Sequence, residues 1–109
     1  MYEDRVRRGA ALLDRLRPGW AGAIDQGFLD QGSCYTCVLG QLFGDFLEGL
    51  KETGTDLGGR EVDHGFDCDP DEVPGHVRAQ YEALDAAWRA EIRARLGTAG
   101  RGGGQAGTA

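Results

Sequence analysis

A broad apolar face starting at Tyr35 constrains the fold of this chain more than any other feature. Tyr35, Val38, Leu39, Leu42, Phe43, Phe46, Leu47 and Leu50 recur at helical spacing. Ser33 precedes the run in an N-cap position and Gly54 follows it as a stop, so the spacing predicts one long central helix. Gly40 and Gly44 stand four apart on one side of that helix. Glycine weakens a helix, and close approach of a second helix is the reason expected for both.

The flanking segments carry similar periodicity. Val6, Ala10, Leu13 and Leu16 form a stripe over residues 3–17, and Pro18-Gly19 ends it. Trp20, Ile24 and Phe28 share a face in a short helical segment. Val77, Tyr81, Leu84, Trp88 and Ile92 predict a last helix from His76 to Leu96, with Gly97 as its C′ residue. Asp85–Arg89 and Glu91–Arg95 are i,i+4 pairs on it. Residues 55–75 form a long loop that Val62 and Phe66 would anchor; loops of that length are commonly functional. No segment alternates as a strand does. The expected fold is all-α: a small helical bundle of three long helices plus a short helix, with a long acidic loop before the last helix. Residues 1–96 make the single domain and 97–109 a flexible Gly-rich tail. Val38, Leu42, Phe46 and Leu50 are expected to pack on Val77, Tyr81, Leu84 and Trp88.

Charge narrows the function classes. Residues 19–75 hold twelve acids against Lys51 and Arg60, whereas each end carries five arginines and three acids. Nucleic-acid binding needs a basic face, so direct binding is not expected. The acidic middle suits a basic protein partner, with Asp63, Asp67, Asp69, Asp71 and Glu72 as the contact acids. No apolar run nears the roughly 20 residues of a membrane span, and the N-terminus lacks a signal-peptide core. A cytoplasmic monomer or small homo-oligomer is expected.

Three thiols carry the candidate chemistry. Cys34 and Cys37 form a C-x2-C, and His64 and Cys68 an H-x3-C farther along. Zinc takes four such ligands in a tetrahedron, which makes Cys34, Cys37, His64 and Cys68 the metal-site expectation. A redox dithiol at a helix start is the second reading, although no βαβ scaffold surrounds it. Buried small side chains are the third. Asp67-x-Asp69-x-Asp71 begins like a calcium loop, but Glu72 replaces its glycine and Arg78 its final glutamate. P-loop, dinucleotide and paired-histidine motifs are absent.

Taken together, several segments carry a resemblance. Arg8-Gly9-Ala10-Ala11-Leu12-Leu13-Asp14, Pro18-Gly19-Trp20, Ile24-Asp25, Leu29-Asp30, Cys34-x-x-Cys37-Val38-Leu39-Gly40-Gln41-Leu42-Phe43-Gly44, His64-Gly65-Phe66 and Ala86-Ala87-Trp88 resemble a group of small proteins of actinobacteria and their phages. The resemblance implies no activity, and Cys68 stands outside its pattern. The abundance of arginine, glycine and alanine agrees with a GC-rich source. The function expected is that of a small intracellular accessory protein, phage- or prophage-derived, that binds a macromolecular partner without catalysis. The alternative is a CxxC thiol-based redox or metal-dependent enzyme.

Overall fold

The structure, a computed structural model, describes residues 2–68 and 77–99. Those residues form helices and no strand. The first helix, α1, spans Glu3–Leu16 and buries Val6, Gly9, Ala10 and Leu13. A 3-10 turn at Trp20–Ala23 follows the left-handed Gly19. Next come α2 (Val38–Phe43), α3 (Phe46–Thr53) and the one-turn α4 (Arg60–Asp63). The last helix, α5, spans Val77–Ala99. Asp69, Asp71 and Glu72 lie outside the described residues, as does most of the expected tail.

The single central helix is the main correction. Its place is taken by two short helices broken at Gly44, whose φ of 102° only glycine adopts readily. Asp45 then caps the second: its Oδ1 accepts from Glu48 N at 2.8 Å. The start is corrected too. Ser33 does not cap a helix; its Oγ closes a turn by accepting from Tyr35 N and Thr36 N. The cap of α2 is Cys37, whose Sγ accepts from Gly40 N at 3.2 Å.

Re-registering the helices moves side chains between faces. Tyr35 and Leu47 leave the expected apolar face and stand exposed, as do Phe28 and Val77. Close approach occurs at Gly40 as expected, though to a turn and not a second helix; at Gly44 nothing lies within 4 Å, and Gly49 is the site of helix–helix approach. A Cβ on Gly49 would stand 2.6 Å from Leu39 Cβ, so α2 and α3 pack backbone to side chain there. A Cβ on Gly40 would meet Tyr35 C at 2.6 Å, because the Cys34–Tyr35 turn folds back across α2. Phe46 N donates to Cys34 O at 2.8 Å and ties that turn to α3.

The last helix also packs differently from the expectation. Its chief neighbours are α1 and the 3-10 turn rather than α2 and α3. Trp88 fills the centre: Trp20 meets it edge-on and Phe66 stacks on it, each with centroids 5.6 Å away. Its Nε1 donates to Gly65 O at 2.7 Å. Phe66 thus anchors the loop as expected, while Val62 is only half-buried. Arg95 donates to both carboxylate oxygens of Asp14 at 2.8 Å, and also to Glu91. The Glu91–Arg95 pair is therefore formed. Asp85 instead accepts from Gln31 N, and Arg89 donates to Gln26 O and Leu29 O. Gly97 does not stop α5, which continues to Ala99.

Two helical glycines give opposite expectations. A Cβ on Gly9 would collide with the His64 carbonyl and stand 3.1 Å from the Trp88 ring, whereas nothing lies within 4 Å at Gly97. Gly9→Ala should therefore destabilise by about 1–3 kcal/mol through overpacking. Gly97→Ala should stabilise by up to about 1 kcal/mol through helix propensity. Urea titration of the two variants measures both signs; stabilisation by Gly9→Ala would contradict the packing of the His64 turn on α1.

Candidate functional site

The Cys34–Cys37 turn is built by two glutamines. Gln31 is buried, and its Oε1 accepts from Val38 N at 2.8 Å. Gln41 reaches back from α2: its Nε2 donates to Thr36 O and Asp25 O, and its Oε1 accepts from Asp25 N. These bonds satisfy an irregular backbone that has no ladder of its own. They leave Cys34 exposed at the surface and Cys37 buried beneath it.

The two thiols therefore have different chemistry. Burial pushes the Cys37 thiol up to about 11, outweighing its backbone hydrogen bonds, and the Cys34 thiol nearby raises it further. A catalytic dithiol depends on a thiolate at neutral pH, and Cys37 is held in the opposite state. It serves as a helix cap. Cys34 lies three residues before that cap, outside the helix.

The expected zinc ligands are not gathered. His64 lies on the turn against α1, its ring stacked on Phe66 and its Nδ1 2.8 Å from Arg60 O. Cys68 is buried beside Tyr81. Among the described residues no three His, Cys, Asp or Glu side chains form a group that could hold a metal ion. Asp67, next to Cys68, does share a cleft with Cys34, but His64 is turned toward Phe66. Of the expected contact acids, Asp63 is exposed beside α1, where its carbonyl accepts from Arg8 Nε. Asp67 is half-buried, and its Oδ1 accepts from Tyr81 Oη and Cys68 N, both at 2.8 Å. Burial, and then this bond to Asp67, raises the Tyr81 phenol well above its ordinary value.

Cys34 borders two clefts. One, of about 150 Å³, is lined by Gln31, Gly32, Ser33, Cys34, Phe46, Asp67 and Tyr81. The other, of about 360 Å³, is lined by Cys34, Tyr35, Asp45, Leu47, Glu48 and Lys51. Neither lining holds a histidine, so Cys34 has no neighbouring imidazole base among the described residues.

Phe46, Tyr81 and Leu47 were read from the sequence as core residues, and nothing in their spacing marks them as cleft-forming. No family model, curated protein or solved structure matches this chain. Among the described residues no helix is long and apolar enough to cross a membrane.

The thiols give a direct check. Native protein at pH 8 should show one rapidly alkylated cysteine, Cys34, and three after denaturation. The folded Cys37 thiol titrates near 11 rather than its usual 9, so the folded state holds that proton longer. Its contribution to stability is complete below about pH 9 and is lost as pH rises toward 11. Cys37→Ser keeps a capping oxygen but removes this titration. Its melting temperature should fall less steeply than wild type between pH 8 and 11.

Proposed function

We propose that this chain is a non-catalytic binding protein that docks a macromolecular partner on the face formed by the Cys34 turn and α3. One observation carries the reading. Tyr35 and Leu47, 71% and 65% exposed, line the same cleft. Single exposed apolar side chains are ordinary, but two large ones flanking one concavity make a patch of the kind used for contact. Tyrosine is also enriched in contact surfaces, because a rigid ring loses little entropy on binding.

Charge describes the partner. Asp45 and Glu48 border the patch against the single base Lys51, within a segment that is strongly acidic throughout. Nucleic acid is disfavoured there by like charge, and a basic protein surface is favoured. The likeness to small proteins of actinobacteria and their phages makes an actinobacterial lysate the natural source of that partner. The buried, high-pKa Cys37 and the absence, among the described residues, of a histidine lining the clefts at Cys34 count against the thiol-enzyme alternative.

The test is affinity capture with the wild-type chain and with a Tyr35→Ala/Leu47→Ala double variant. Both positions are exposed, so each substitution should change stability by no more than about 0.5 kcal/mol. Capture should be lost in the double variant while its melting temperature stays close to wild type. Association should also slow as salt rises, since the screening length falls from about 10 Å at 0.1 M to about 3 Å at 1 M. A partner retained equally by the folded double variant would refute this surface.

A further inference from the structure

The smaller cleft has a chemistry of its own. At about 150 Å³ it falls below the roughly 300–1,000 Å³ of ordinary small-molecule sites. It is sized for one side chain. Phe46 and Tyr81 bring aromatic rings to it, from α3 and α5, and the Gln31–Cys34 turn closes the remaining side. Gly32 keeps it open, because a Cβ there would already stand 3.3 Å from the Tyr81 ring.

Its lining carries a carboxylate, Asp67, and among the lining residues no cationic side chain. Tyr81 Oη and Cys68 N both bind Asp67 Oδ1 and so fix the orientation of that carboxylate. Among the described residues no arginine or lysine pairs with Asp67. Asp30 holds Gly32 N at 2.8 Å and Asp85 holds Gln31 N at 2.7 Å, so two more carboxylates flank the same turn, with Arg89 acting on Asp85. An acidic ligand is repelled there. An apolar one would cover the Asp67 carboxylate without replacing its water, at a cost of roughly 1–3 kcal/mol or more. A cation satisfies both the carboxylate and the rings. Of the two common cationic side chains, the planar guanidinium both stacks on an aromatic face and donates to a carboxylate through parallel N–H groups.

We infer that the cleft between Phe46, Tyr81 and the Gln31–Cys34 turn receives an arginine side chain of the partner protein. The inference rests on the docking face proposed above and names the group that the face selects. Cys34 belongs to both clefts, so a partner lying on Tyr35 and Leu47 reaches the smaller cleft without a gap.

Cys34 also supplies the readout, being the exposed thiol at the rim. The rate at which iodoacetamide alkylates it is measured on the full chain by mass spectrometry. Three acetylated tripeptide amides at millimolar concentration serve as probes: Gly-Arg-Gly, the same peptide with lysine, and the same with uncharged citrulline. The arginine peptide should slow alkylation at least threefold, the lysine peptide less, and the citrulline peptide not at all. Asp67→Asn keeps an oxygen for Tyr81 and Cys68 N but removes the charge. It should abolish protection with an unchanged melting temperature. Equal protection by citrulline or lysine, or protection surviving in Asp67→Asn, overturns the inference. The docking face is judged separately by partner capture. Protection by arginine alongside undiminished capture by the Tyr35→Ala/Leu47→Ala variant leaves the cleft standing and rejects the face; lost capture without arginine protection does the reverse.

Discussion

Trp88 holds this protein together. It is fully buried and touches α1 near Gly9, the 3-10 turn through Trp20, and the His64 turn through Gly65 and Phe66. Burying a side chain of that size contributes roughly 4–6 kcal/mol on an area basis. Small domains have about 5–15 kcal/mol of net stability, so one ring organises a large share of it. The indole N–H is what makes the placement specific. It needs an acceptor when buried, and the Gly65 carbonyl is presented to it only because Gly65 is left-handed and sits on the backbone of Val6.

The elements built on a regular stripe were legible in the sequence. Val6, Ala10 and Leu13 mark α1; Leu84, Trp88 and Ile92 mark α5. Periodicity works there because each helix buries one continuous face. It misled over residues 33–54, where the apolar spacing alone cannot distinguish one helix from two in slightly different register. The deciding signal was local: Gly44 followed by Asp45 and, three residues on, Glu48 resembles a stop and a new capping box. The 44–45 break turns Leu47 outward. The partners of α5 were illegible for a related reason. An apolar stripe states that a face is covered, not by which neighbour.

The candidate site was less legible still. Spacing drew attention to Cys34, Cys37, His64 and Cys68, yet their fates differ: exposed at a cleft, capping a helix, packed on Phe66, buried by Tyr81. Ligand spacing is informative only when the fold closes the intervening chain on itself. Here the chain returns Asp67 to the Cys34 cleft but turns His64 onto Phe66. The glutamines that shape the turn, Gln31 and Gln41, carry no sequence signature, because their work is to satisfy particular irregular amides. Asp67 was picked out for its charge and for the spacing Asp67-x-Asp69-x-Asp71. Its role in the cleft depends on Tyr81, fourteen residues away across the 69–76 segment.

The bidentate contact between Arg95 and Asp14 joins residues 81 positions apart. It sits beside Trp20, whose ring Arg95 covers and whose Nε1 donates to Asp14, and Arg95, like Trp88, belongs to α5. Closing so long a loop costs little more free energy than closing a shorter one, but contacts of that separation form slowly. The α1 helix therefore leaves the ribosome well before α5, the element it contacts most, is made. Synthesis halted before Trp88 yields no smaller version of the fold. It yields a sticky, half-made chain of the kind that chaperones hold and proteases remove.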